Sequence, residues 1–220
     1  MKIVVLGASG KTGQLLVAAA AAQGHEVVAV VRRIGVLKAG KGLVIMQASV
    51  EIEGDLCAAF AGADAVVSCL GVRPSLRAFC FKQDFQQRTL PQIIAAINAA
   101  QVPRFVLLSS FGSGASAKQS GAFLRLFLYG CIAKNMFDDK ALAEQALQHC
   151  HANWTAVYPV TLIQAPAIAT AELVPLDAVR RVPGIPRLPF ANVARALLKL
   201  SQETNHAGQK LLLAPPHTWQ

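Results

Sequence analysis

The residues able to do chemistry fall into three sets. The first is Gly7-Ala8-Ser9-Gly10-Lys11-Thr12-Gly13, with glycines at G-x-x-G-x-x-G spacing, two hydroxyls and an ammonium. This is the make-up of an anion cradle. Gly7 permits a tight exit from a strand, Gly10 lets a diphosphate approach the backbone, and Gly13 lets a helix pack closely on that strand. The helix start then offers free N–H groups and a positive dipole end to the anion. A Walker loop is excluded, because no G-K-[ST] follows a four-residue gap. The second set is Arg32-Arg33, where an NAD site would carry an acidic residue for the ribose 2′-hydroxyl. Guanidinium matches phosphate in charge and in bidentate geometry, so the pair fits the 2′-phosphate of NADP; the bland alternative is two exposed arginines. The third set is Ser109-Ser110-Phe111, whose hydroxyls suit a carbonyl or carboxamide acceptor, or merely cap a turn.

The elements that must position these sets alternate strand and helix. Ile3–Leu6 reads as a strand buried on both faces, and a Leu/Ala-rich helix follows the glycines, closed by Gly24. Further strands are expected at Val27–Val31, Leu43–Gln47, Ala65–Leu70, Phe105–Leu108, Trp154–Tyr158 and Lys210–Leu213. Helices are expected from Gly54-Asp55-Leu56, with Asp55 as N-cap, over about Asp84–Ala100, over Phe137–His149, and from Phe190 onward. Such alternation indicates an α/β fold with a doubly wound parallel sheet, in which ligands bind at the carboxyl ends of the strands. Gly71 and Arg73 lie at one such end; Arg73 is either a phosphate or substrate contact or plain surface. Two stretches break the alternation. Residues 113–134 form a Gly/Ser/Ala loop and an aromatic run through Tyr129, and residues 161–189 include a proline-rich loop from Pro175 to Pro189. Lys140 and Glu144, four residues apart, have the spacing of a surface ion pair on a helix.

The chain has 220 residues, 54% hydrophobic and 15% charged, enough for one domain with a sizeable core. No apolar run approaches the ~18 residues of a membrane span, and the opening has no signal-peptide layout. Five cysteines without CxxC spacing read as reduced thiols in a cytoplasmic protein. The pair His149 and His151 has no third ligand nearby, so no metal is expected. The formal charge of +9 is either a solvated basic surface or a field that draws anionic ligands. The basic residues are dispersed and no groove-reading module is present, which argues against nucleic acid.

LGASGKTG, VVRR, GDL, VVSCLG, FVLLSS and DDKALAEQAL…WTAVYPV together resemble the atypical short-chain dehydrogenase/reductase superfamily, in its NmrA-like branch, essentially end to end. Within that branch the chain looks most like the biliverdin-IXβ reductase/flavin reductase family, on the Asp-Asp opening of the Lys140 helix, the spacing to Trp154 and the short aromatic tail. The resemblance implies a Rossmann fold with a small substrate-covering C-terminal part, and NADPH-dependent reduction of linear tetrapyrroles or flavins. It implies that Gly7, Ser9, Gly10, Lys11, Thr12 and Gly13 hold the diphosphate and that Arg32 and Arg33 hold the adenosine end. Asp55 and Leu56 would lie by the adenine, with Leu70, Gly71 and Arg73 along the ribose, diphosphate or nicotinamide. Ser109, Ser110, Pro159 and Val160 would surround the nicotinamide.

The chain departs from the superfamily's Tyr-x-x-x-Lys pair. Met136, not tyrosine, stands four residues before Lys140, and Tyr129 is followed four residues later by Ala133. That weighs against alcohol oxidation through a tyrosine. A planar conjugated acceptor needs mainly close, parallel placement beside the nicotinamide, with Phe111 and Tyr129 covering it, Ser110 orienting it, and Lys140 and Arg73 attracting its carboxylates or phosphates. The competing expectation is an NADP(H)-binding redox sensor without catalysis, acting through a protein partner. Otherwise the expectation is a small-molecule enzyme, monomeric or weakly dimeric.

Overall fold

The computed structural model describes residues 1–71, 81–120 and 134–220. Its strands are β1 (Lys2–Leu6), β2 (Glu26–Val31), β3 (Leu43–Gln47), β4 (Ala65–Ser68), β5 (Arg104–Leu108), β6 (Asn153–Pro159), β7 (Thr161–Ile163), β8 (Glu172–Pro175), β9 (Arg187–Pro189) and β10 (Gln209–Ala214). Its α-helices are α1 (Lys11–Ala22), α2 (Glu53–Phe60), α3 (Phe85–Ala99), α4 (Lys134–Ala143) and α5 (Phe190–Gln202).

Eight strands form one sheet in the order β3-β2-β1-β4-β5-β6-β10-β8. All neighbours are parallel except β8, which runs antiparallel to β10. The sequence of β1, β4 and β5 explains their central place: Ile3 to Leu6, Ala65 to Ser68 and Phe105 to Leu108 are all buried, as strands covered on both faces must be. From β1 the chain first moves outward to β2 and β3, then returns to β4 and proceeds the other way. With right-handed crossovers, that reversal places successive helices on opposite faces. Accordingly α1 packs on α5, while α3 packs on both α2 and α4. The reversal also leaves a crevice between the carboxyl ends of β1 and β4.

Close packing of α1 on β1 depends on Gly13, where a Cβ would stand 2.3 Å from the Gly7 carbonyl oxygen. At the opposite, amino edge of the sheet, Arg104 is 3% exposed. Its guanidinium donates to the Leu200 carbonyl at 2.8 Å, to the Asn153 carbonyl and to Thr155 Oγ1 at 2.7 Å. It thereby terminates α5 and joins it to β6.

Three details differ from the sequence expectations. Asp55 does not cap α2: it lies within the first turn, Ile52 is at the cap, and the Asp55 carboxylate accepts the Ser49 N–H at 2.7 Å. The helix expected over Phe137–His149 is α4 followed by a 3₁₀ turn, Glu144–His149. The proline-rich stretch is not all loop: β8 reaches Pro175, at the sheet edge where proline is tolerated, and β9 pairs with β7.

Candidate active site

The crevice between β1 and β4 opens into a cleft of about 440 Å³ lined by the glycine loop, the end of β2 and Cys69-Leu70-Gly71. Of the residues expected to bind cofactor, Gly7, Ser9, Gly10, Arg32, Leu70 and Gly71 line it, and Phe85 closes one side. The loop is shaped by its glycines. Gly7 adopts a φ of +73°, and a Cβ there would lie 2.8 Å from the Cys69 carbonyl oxygen. Gly10 donates to the Gly7 carbonyl at 2.9 Å, and the first helical bond runs from Gln14 to Gly10. The N–H groups of Lys11, Thr12 and Gly13 therefore precede the intrahelical ladder and stand ready for an anion. Lys11 is exposed, with its ammonium 5.3 Å from the centre of the Phe190 ring. Thr12 is buried.

Arg32 and Arg33 are both exposed just beyond β2. The apolar wall next to them is made by Val30, Val31, Ala48 and Val50, not by the expected Asp55 and Leu56. Asp55 is turned to Ser49 and Leu56 is sunk in the core. Cys69 lines the cleft, but burial pushes its thiol up to about 12, so it stays protonated and is a poor nucleophile.

The second half of the site lies at the ends of β5 and β6. Lys140 Nζ donates to Ser110 Oγ at 2.8 Å. Lys140 is thus not part of a surface pair with Glu144, which is itself buried. The Glu144 carboxylate accepts from the Ser109 hydroxyl and, at 2.7 Å, from the Tyr158 hydroxyl. Gly114 makes room for it: a Cβ there would stand 2.4 Å from Glu144 Oε2. Burial lowers the Lys140 ammonium to about 8, with the Glu144 and Asp139 carboxylates opposing that shift. Burial, then the neighbouring Glu144 carboxylate, pushes the Tyr158 phenol up. Tyr158 is therefore no replacement for the missing acid–base tyrosine.

Asp139 explains why Lys140 stands where it does. It is 1% exposed, and its two carboxylate oxygens accept the Gln86 and Gln87 N–H groups at 2.9 and 3.0 Å. A side chain from α4 thus caps α3, whose own Asp84 makes no such bond. Gln86 Nε2 in turn donates to the Leu70 carbonyl at 2.9 Å, tying α3 to the cleft.

Several expected contacts are displaced. The Ser109 hydroxyl is buried and donates to Glu144, and Ser109 does not line the cleft. Phe111, Pro159 and Val160 are buried and do not line the cleft; the Phe111 N–H donates to the Pro159 carbonyl at 3.0 Å and the Val160 N–H to the Leu213 carbonyl at 3.1 Å. Arg73 and Tyr129 lie outside the described residues. Sequence alone does not mark Glu144, Tyr158, Asp139 and Gln86 as site residues. Their partners lie far along the chain, so no local pattern marks them.

A family model described as NAD(P)H-binding matches residues 7–204. The chain belongs to that family. No curated protein matches it. Among solved structures it is similar to a short-chain dehydrogenase/reductase from Veillonella parvula in complex with NADP, with a TM-score of 0.81, 17% identity, and coverage of 100% of this chain and 96% of that one. It is similar to an oxidoreductase from Lactococcus lactis, with a TM-score of 0.78, 19% identity, and coverage of 100% and 93%. It is also similar to an anaerobilin reductase from Escherichia coli O157:H7, with a TM-score of 0.76, 20% identity, and coverage of 99% and 98%. At such identities the likeness shows the shared Rossmann-like fold.

The cofactor is thus NAD(P)H, and the chain's own residues fit it. Gly7 lets the loop pass against the Cys69 carbonyl, where a Cβ would clash, the start of α1 supplies N–H donors to a diphosphate, and the apolar wall at Val30, Val31, Ala48 and Val50 suits an adenine. Along the sheet, Gly7 and Ser110 terminate strands two places apart, about 10 Å at the usual strand spacing. The Ser110–Lys140 couple thus stands two strands along the same carboxyl edge from the glycine loop. Among the described residues, no helix is long and apolar enough to cross a membrane.

Proposed function

We propose that the protein is an NADPH-dependent reductase of a planar conjugated acceptor, a flavin or a linear tetrapyrrole. The observation that carries this reading is the contact of Lys140 with Ser110 just past the carboxyl end of β5, two strands along from the glycine loop, with Tyr158 turned inward to Glu144. When bound, the nicotinamide supplies a hydride. The chain's residues bind, align and polarise. Arg32 and Arg33, with no carboxylate beside them at the end of β2, favour the 2′-phosphate. A flat acceptor stacks against the nicotinamide, where close parallel placement does most of the work. The Lys140 ammonium draws an acceptor's carboxylate or phosphate. A carbonyl–alcohol reaction would need a tyrosine acid–base group, and the site presents none among the described residues. The neighbouring fold that includes an anaerobilin reductase supports the tetrapyrrole class. The resemblance to the flavin reductase family supports flavins.

The test is NADPH oxidation, followed at its absorbance band, with FMN, riboflavin and biliverdin as acceptors and NADH as the control. The expected result is turnover of at least one acceptor, faster with NADPH. Binding of NADPH with no turnover of any acceptor would overturn the reading in favour of a redox sensor.

A further inference from the structure

The buried Glu144 has no part in the functions given above, yet the fold makes special room for it. Gly114 leaves the space its carboxylate fills, and Ser109 and Tyr158 both donate to it. It stands one helical turn after Lys140, and the two residues line the same small pocket with Ser109 and Gln86. Beyond that pocket, Lys140 touches Ser110, and Ser110 is only half-buried.

On the reductase reading, we propose that Ser110 and Lys140 deliver the proton of the reduction, and that Glu144 is the positioning residue that keeps Lys140 charged for it. Ser110 Oγ–H gives its proton to the acceptor as Lys140 Nζ–H gives one to Ser110 Oγ. The O–H and N–H bonds break, a new O–H forms on Ser110, and the acceptor gains the proton. With hydride from NADPH the acceptor gains two electrons and two protons in all, with no net change of charge, NADPH becomes NADP⁺, and the neutral Lys140 amine takes a proton from water. Only a protonated lysine can start this relay.

Two carboxylates act on that protonation, Glu144 from the turn after α4 and Asp139 from α4 itself. Asp139 is held by two backbone N–H groups of α3. Among the described residues the other polar neighbours, Ser109 and Ser110 from the β5 end and Gln86 from α3, are uncharged. Glu144→Gln removes the nearby negative charge while an amide oxygen can still accept from Tyr158. Without that charge Lys140 loses its proton at lower pH.

The experiment is the pH dependence of kcat for wild type, Glu144→Gln and Lys140→Met, using the acceptor identified above. A parallel pH titration of ¹³Cε-labelled lysine by NMR assigns Lys140 from its missing signal in Lys140→Met. Wild-type kcat falls as pH rises through about 8, where burial places the Lys140 ammonium. Glu144→Gln moves that fall, and the NMR midpoint, down by about one pH unit, with little change at pH 6. Lys140→Met loses about 100-fold in kcat and the alkaline fall, while still binding NADPH. If wild type turns over but kcat is flat from pH 6 to 9, or Lys140→Met keeps full activity, the relay is overturned and the reductase reading stands. If the NMR midpoint is the same in Glu144→Gln, the role of Glu144 is overturned alone. If no acceptor is reduced although NADPH binds, the relay falls together with the reading.

Discussion

Two cations stand at opposite ends of β5, and the fold treats them differently. Arg104, at the amino end, has an acceptor for each of its three nitrogens: a helix-terminal carbonyl, a strand carbonyl and a threonine hydroxyl. Burial lowers its guanidinium only to about 10, with Glu203 opposing the shift, so it remains charged at neutral pH. Lys140, over the carboxyl end, gives one bond to Ser110 among the described residues and has further N–H donors. Its ammonium is lowered to about 8. The amino edge has a fully paired charge that holds strands and helix together. The carboxyl edge has a charge that gives one bond among the described residues. Perturbed groups with donors to spare are what binding and proton transfer require, whereas a saturated one is structural.

The largest expected contrast comes from removing each cation in turn. Lys140→Met lowers NADPH turnover by about 100-fold, yet leaves the melting temperature at or above the wild-type value at pH 7. The sign follows from linkage. The folded ammonium, at about 8, lies below the 10.5 of an ordinary lysine, so between those values the unfolded chain binds more protons. The lysine therefore makes stability rise with pH across that window and penalises the folded state below it. Methionine removes that slope, which thermal unfolding at pH 7 and pH 9.5 reads directly. Arg104→Met does the opposite. It strands buried acceptors and costs about 3 kcal/mol, a fall of roughly 6–12 °C in melting temperature. The NADPH affinity of the folded protein does not change. Equal losses of stability in the two variants would dissolve the contrast.

A second contrast lies within the carboxyl edge, between its cofactor end and its proposed reacting end. Arg32→Glu weakens NADPH by about 30-fold and NADH only slightly, as measured by quenching of protein fluorescence. An equal loss for both would remove the 2′-phosphate role. The smallest effect is expected of Asp139→Asn, which weakens the cap that α4 places on α3 by about 1 kcal/mol. It also lowers the Lys140 titration midpoint, because one of the two opposing carboxylates is gone.

The two ends also differ in how far the sequence announces them. The cofactor end is local. Gly7 to Gly13, Val30 to Arg32 and Leu70-Gly71 each lie on one strand end or turn, so residue type and spacing suffice to place them. The reacting end is assembled across the chain. Asp139 caps a helix that starts 54 residues earlier in the sequence at Phe85, and Glu144 reaches Ser109 and Tyr158 on two different strands. Helical spacing alone places Lys140 and Glu144 side by side on a surface. Tertiary packing instead turns Glu144 inward and leaves Lys140 to Ser110. Burial likewise decides against Phe111, Pro159 and Val160 as cleft residues, although their position at the strand ends is correct.

On the proposed reading, Lys140 acts in turnover and not in holding the fold. The most direct measurement is the steady-state rate of NADPH oxidation by Lys140→Met at pH 7 with biliverdin or FMN, expressed per molecule of protein with bound cofactor. A rate about 100-fold below wild type, with cofactor occupancy unchanged, is the predicted result. A rate equal to wild type would contradict it.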